Sequence, residues 1–214
     1  MNKIELKDVS KSFKERELFG HVNMVLESGK IYGLVGPNGS GKSVLFKMIC
    51  GLLPVTSGNI YYNDQLLHKD FDILPSVGVV IDGSRFYEYL SGYDNLALLA
   101  SLKNEIHEQE INQALELVKL KKDKMPVKKY SLGMKQRLSL AQAIMENPEV
   151  LLLDEVTNGL DKSGIKMVYD LLNEEKQKGK IIFITSHRQE DIDTLCDEVF
   201  EIDAQEVMKH ETSS

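Results

Sequence analysis

The chain has 214 residues, 42% hydrophobic and 28% charged, with a net charge of −7 from 33 acidic against 26 basic side chains. That length fits one domain, residues 1–214, with room for a subdomain and a substantial core. The acidic balance argues against a surface built to neutralise nucleic-acid phosphates, and no stretch approaches the ~20 apolar residues that span a bilayer.

From Met1 to Asp8 charge alternates with aliphatics, without a signal-peptide core. The expectation is a soluble, cytoplasmic chain that serves a membrane only through a partner. Cys50 and Cys196 lie far apart, inside apolar patterns and without metal-ligand spacing, as buried thiols of a reducing compartment do.

In chain order, Ile4, Leu6 and Val9 predict an edge strand, and Val22, Met24 and Leu26 a second before a turn at Gly29. Ile31–Val35 reads as a buried strand, and Val44, Leu45, Met48 and Ile49 fall at helical spacing. Asn59–Tyr62 with a turn at Asn63-Asp64 predicts a hairpin. Val77–Ile81 is a β-branched run that predicts another buried strand. From Ser91 to Val118 the pattern is helical. The Lys-rich stretch 119–129 has no interleaved aromatics and reads as a solvated linker rather than a nucleic-acid patch. A helix over Leu132–Met145 stops at Asn147-Pro148. Strand Val150–Leu153, helix Ile165–Lys178, strand Ile181–Thr185, helix Ile192–Cys196 and strand Val199–Ile202 follow, then a short polar tail. The expected fold class is α/β: a P-loop core with an N-terminal antiparallel β subdomain and a helical subdomain inserted at about 83–145.

Between the third strand and its helix runs Gly36-Pro37-Asn38-Gly39-Ser40-Gly41-Lys42-Ser43, a match to G-x-x-x-x-G-K-[ST] in the required strand–loop–helix context. Glycines let backbone N–H groups turn inward around a polyphosphate, and the helix adds its free N–H groups and positive dipole end. Lys42 is placed to reach the β- and γ-phosphates and Ser43 to ligate Mg²⁺. Downstream, Leu151-Leu152-Leu153 delivers Asp154 and Glu155 to a strand's C-terminal end, where ligands sit in parallel sheets. Asp154 suits the Mg²⁺ shell, and Glu155 suits polarising an attacking water. Ser131, before Gly133, reads as a helix N-cap and a second anion site.

Tyr130-Ser131-Leu132-Gly133-Met134-Lys135-Gln136-Arg137 resembles the signature segment of ATP-binding cassette (ABC) ATPases. Asn158-Gly159-Leu160-Asp161 is similar to that family's D-loop, and His187 to its switch histidine. Phe13 aligns with its adenine-stacking aromatic, though filling the core is the alternative. The ordered set covers nearly the whole chain. The resemblance implies an ABC transporter ATP-binding subunit that binds ATP and Mg²⁺. It implies a homo- or heterodimer with two nucleotides between the loop of one subunit and the signature of the other, including Ser131, Gly133 and Asp161. It also implies a transmembrane permease, peripheral attachment at the inner face of the membrane, and no nucleic acid.

The chain departs from the pattern at Leu132, where Gly is usual, at Val156, where Pro is usual, and at Asp82, where Gln is usual. A carboxylate at 82 is expected to ligate Mg²⁺. Asp82 and the Ser131 segment look like the bacitracin and lantibiotic export or immunity branch, so the expected cargo is a peptide antibiotic or similar amphiphile. A soluble ABC-type ATPase acting in assembly shares the same motifs and is the competing class; a small-molecule kinase has no use for the signature or D-loop.

Overall fold

The computed structural model describes residues 1–14, 16–83, 85–103 and 105–210. Two sheets make its frame. Strands β1 (Lys3–Phe13), β2 (Arg16–Glu27), β4 (Ser57–Tyr62) and β5 (Gln65–Leu66) form an antiparallel sheet in the order β2-β1-β4-β5. The second sheet has the order β10-β9-β3-β8-β7-β6. It comprises β3 (Lys30–Val35), β6 (Val77–Val80), β7 (Val150–Asp154), β8 (Ile181–Thr185), β9 (Glu198–Asp203) and β10 (Glu206–His210). All its pairings are parallel except the β9–β10 hairpin.

The period-2 alternation of strands divides the core in two. Tyr32, Leu152, Ile181 and Phe183 face the antiparallel sheet and helix α1 (Lys42–Ile49). Ile31, Leu151, Leu153 and Ile182 face the opposite way. There they meet α2 (Gly92–Lys103), α3 (Glu108–Leu117), α4 (Leu132–Ile144) and α5 (Lys162–Gln177). Both faces of β7 and β8 are covered, which explains their unbroken apolar runs. Helix α6 (Gln189–Leu195) completes the set, and α2 to α4 lie in sequence between the adjacent strands β6 and β7.

Two expectations differ from the structure, the tail and the start of α6. The polar tail is in part strand β10, joined to β9 through Ala204 and Gln205, both at positive φ. Such a turn usually advertises itself with Gly or Asn, and β10 is mostly exposed, so neither composition nor hydrophobic pattern announces it. The helical pattern over 91–118 resolves into α2 and α3; α3 has its own capping box, with the His107 N–H donating to Glu110 Oε2 at 2.9 Å. Helix α6 begins at Gln189, three residues before the apolar pattern does.

Candidate functional site

Helix α1 springs directly from the glycine loop, and its place is fixed from below. Phe46 packs 4.9 Å, centroid to centroid, from Phe183 of β8, within an aromatic group that includes Tyr32 and Phe200. Each such pair contributes about 1 kcal/mol beyond its area. The free N–H groups of the helix's first turn therefore sit at the C-terminal ends of β3, β7 and β8.

At those ends the predicted residues converge. Ser43 Oγ donates to Asp154 Oδ2 at 2.6 Å, and Thr185 Oγ1 donates to Asp154 Oδ1 at 2.5 Å. Glu155 has φ +54, in the left-handed region. Hydrogen bonds hold it there: its N–H donates to Thr185 O and Oγ1, and Gln136 Nε2 donates to its carbonyl at 3.0 Å. Its carboxylate Oε1 lies 2.7 Å from His187 Nε2. Strain of this kind persists only where the surroundings over-determine it. Thr185 ends an apolar strand and Gln136 reads as an exposed helix residue, so neither shows this role in the sequence.

Lys42 is nearly buried, and its ammonium donates to the carbonyls of Gly36 at 2.7 Å and Pro37 at 3.0 Å. Among the described residues, Ser40 Oγ, in the same loop, is buried without a hydrogen-bond partner. A buried hydroxyl without a partner costs free energy, and a phosphate oxygen is the partner this loop is shaped to supply, so the residues fit a nucleotide polyphosphate. For Mg²⁺ the chain offers the Ser43 hydroxyl and the Asp154 carboxylate, hard oxygen donors suited to a cation that draws its other ligands from phosphates and water. Among the described residues no cluster of three His, Cys, Asp or Glu side chains could hold a metal alone.

Phe13 is half exposed at the end of β1, with Lys11 Nζ 4.9 Å from its ring centroid, and it lines the same cleft as Lys42, Ser43 and Glu155. It is not a core residue. Asp82 goes elsewhere: its carboxylate pairs with Lys47, one helical turn beyond Ser43.

Ser131, Gly133 and Asp161 form a second cleft of about 650 Å³, which shares no lining residue with the first. Ser131 caps α4, accepting from the Met134 N–H at 3.2 Å. Asp161 caps α5, accepting from the Gly164 N–H at 2.8 Å. That bond first, and the Ser163 hydroxyl second, hold the Asp161 carboxyl below its usual pKa. Lys119 and Lys121, read from sequence as linker, line this cleft with Arg137.

The family model described as "ABC transporter" matches residues 19–158. Among curated relatives, the chain is 40% identical over 200 residues to the uncharacterized ABC transporter ATP-binding protein YybJ of Bacillus subtilis, covering 93% of this chain and 92% of that one. It is 37% identical to the lantibiotic transport ATP-binding protein SrtF of Streptococcus pyogenes, over 91% of this chain and 84% of the relative. It is 39% identical to the bacitracin transport ATP-binding protein BcrA of Enterococcus faecalis, over 91% of this chain but only 64% of that longer protein. A solved ATP-binding subunit of an ABC transporter superposes with a TM-score of 0.86 at 26% identity, over 97% of this chain and 89% of that one. A dimeric bacterial ABC transporter cassette superposes at 0.87 over 99% of both chains, at 21% identity, a likeness of fold.

Proposed function

The chain belongs to the ABC transporter family, and from that membership we propose that it works as half of a head-to-tail pair driving a separate membrane permease. It is an ATP-binding, ATP-hydrolysing subunit of that family. The observation that carries the paired arrangement is the division into two clefts. The phosphate loop, Asp154 and Glu155 line one; Ser131, Gly133 and Asp161 line another on the same chain. Two copies turned head to tail bring unlike clefts together.

In this reading Gly36–Ser43 cradles the polyphosphate, with Lys42 leaving its loop carbonyls for the β- and γ-phosphates. Ser43 and Asp154 hold Mg²⁺, which supplies charge neutralisation on the phosphates. Glu155 accepts the proton of the attacking water, and His187 keeps its carboxylate aimed. Phe13 stacks against the base. Ser131 and the first-turn N–H groups of α4 meet the γ-phosphate held by the other subunit. No helix of the described residues is long and apolar enough to cross a membrane, so coupling to transport runs through the permease. Exposed Tyr87 and Tyr89 lie in the connection ahead of α2, where that partner would bear; Tyr93 packs against the core. The relatives named for lantibiotic and bacitracin transport support export of a peptide antibiotic or similar amphiphile.

The test is Glu155→Gln, which keeps size and removes the base. ATP binding should persist, turnover should fall by about 10²–10⁴, and a dimer should accumulate with ATP on size-exclusion chromatography with light scattering. Wild-type turnover in this variant overturns the assignment of the base, and a monomer at saturating ATP overturns the paired site.

A further inference from the structure

Asp191 is the most completely enclosed carboxylate described in the protein, with 0% exposure. It lies in the first turn of α6, outside every motif that identifies the nucleotide site. Three hydroxyls from three different elements donate to it. Thr157 Oγ1 reaches Oδ2 at 2.5 Å, Ser186 Oγ reaches Oδ2 at 2.6 Å, and Tyr169 Oη reaches Oδ1 at 2.5 Å. Arg188 Nε lies 3.6 Å from Oδ1. A carboxylate has about four lone-pair sites; three of them receive these hydroxyls, and the Arg188 guanidinium adds an opposite charge nearby. Such a group is costly to bury unless it is fully paired, so the arrangement is specific to these partners.

The partners bracket the chemistry. Thr157 lies two residues beyond Glu155, on the segment that runs on to Asp161. Ser186 and Arg188 flank His187, and the Ser186 hydroxyl also accepts from the Arg188 N–H at 3.0 Å. The 2.7 Å contact between Glu155 and His187 therefore spans two loops that are tied behind it to one buried carboxyl group. Burial first, and Asp191 second, push the Tyr169 hydroxyl above its ordinary pKa, so it stays a donor.

We propose that Asp191 is a positioning residue for hydrolysis, clamping the loop that carries Glu155 and the loop that carries His187 in one fixed relation. It touches neither substrate nor metal, and acts through His187 and Glu155. A misplacement of catalytic groups by about 1 Å costs up to ~10²-fold in rate. Loss of the clamp thus lowers kcat and leaves KM for ATP alone, because the phosphate loop is anchored separately through Phe46. The inference rests on the proposed roles of Glu155 and His187.

The experiment measures steady-state ATPase and melting temperature for wild type, Asp191→Asn and Thr157→Val. The second variant deletes one donor at nearly constant volume and serves if the first fails to fold. Each is also made in a His187→Ala background. Expected is a fall in kcat of about ten- to hundredfold with KM within about twofold, restoration by Thr157→Ser, and little further loss where His187 is already absent. An unchanged kcat in a folded variant, a rise in KM with kcat kept, or an equal proportional loss with and without His187 overturns the clamp. Failure of wild type to hydrolyse ATP, or of Glu155→Gln to slow it, instead overturns the reading of the site itself.

Discussion

His187 Nε2 lies 2.7 Å from Glu155 Oε1, joining the ends of two adjacent parallel strands. If the imidazole aims the carboxylate, removing either group removes the same function. His187→Ala should lower kcat by about 10²-fold with ATP affinity nearly kept. The double variant with Glu155→Gln should be scarcely slower than Glu155→Gln alone. Multiplying losses in steady-state kinetics would show that the two act separately.

The departure at Leu132 has a counterpart. Gly159 has φ +74, and a Cβ placed there would lie 2.6 Å from Leu132 Cδ2 and 2.7 Å from its Cγ. The D-loop glycine thus accommodates the leucine on the signature helix. Gly159→Ala should cost about 1 kcal/mol in backbone strain alone and more from the collision. Leu132→Gly in the same molecule should recover the collision part. Denaturant unfolding of the four-member cycle measures the coupling, expected above about 0.5 kcal/mol; simple additivity would refute it.

Asp82 sits at φ +55 and pairs with Lys47 rather than with the Ser43–Asp154 couple. Asn tolerates that backbone, and so exposed an ion pair is worth at most about 1 kcal/mol. Asp82→Asn should leave the Mg²⁺ concentration for half-maximal ATPase nearly unchanged, while Asp154→Asn raises it severalfold. A comparable rise for both would put Asp82 in the metal shell, as its place in the sequence suggests.

Glu175 and Lys180 are both almost fully buried and form an ion pair between the end of α5 and the start of β8. Burial raises the Glu175 pKa, but the Lys178 and Lys180 ammonium groups outweigh it and leave the carboxyl below its ordinary value. A depressed folded pKa stabilises above the unfolded value, near 4.5, and that stability is lost as pH falls through the folded value. Glu175→Gln should therefore destabilise by about 3 kcal/mol at pH 7, with the gap to wild type narrowing below about pH 4.5. A gap independent of pH in thermal melts would contradict this.

The sequence exposes what depends on contiguous residues. The glycine loop needs its strand, its helix and its glycines in a row, and Asp154-Glu155 needs only the apolar run before it, so both are legible. Residues that act through distant partners are hidden. Thr185 supports Asp154 and Glu155 from another strand, Gln136 reaches Glu155 from α4, and Lys119 joins the signature cleft only through tertiary packing. Asp191 looks like one of several acids in a short exposed helix, and burial alone distinguishes it. Strand β10 is hidden because an edge strand buries too little to show a period.

The strand order has a consequence for synthesis. β3, which carries the glycine loop, has β9 and β8 as its two neighbours, strands made long after it. The two chain segments also close tightly: a Cβ at Gly36 would lie 2.7 Å from the Ile202 carbonyl oxygen. A growing polypeptide thus displays its phosphate loop early, beside the antiparallel sheet but without the parallel strands that flank β3. Asp154 and Thr185, which complete the site around Ser43, lie on strands made more than a hundred residues after the loop, so the whole nucleotide site forms only late in synthesis.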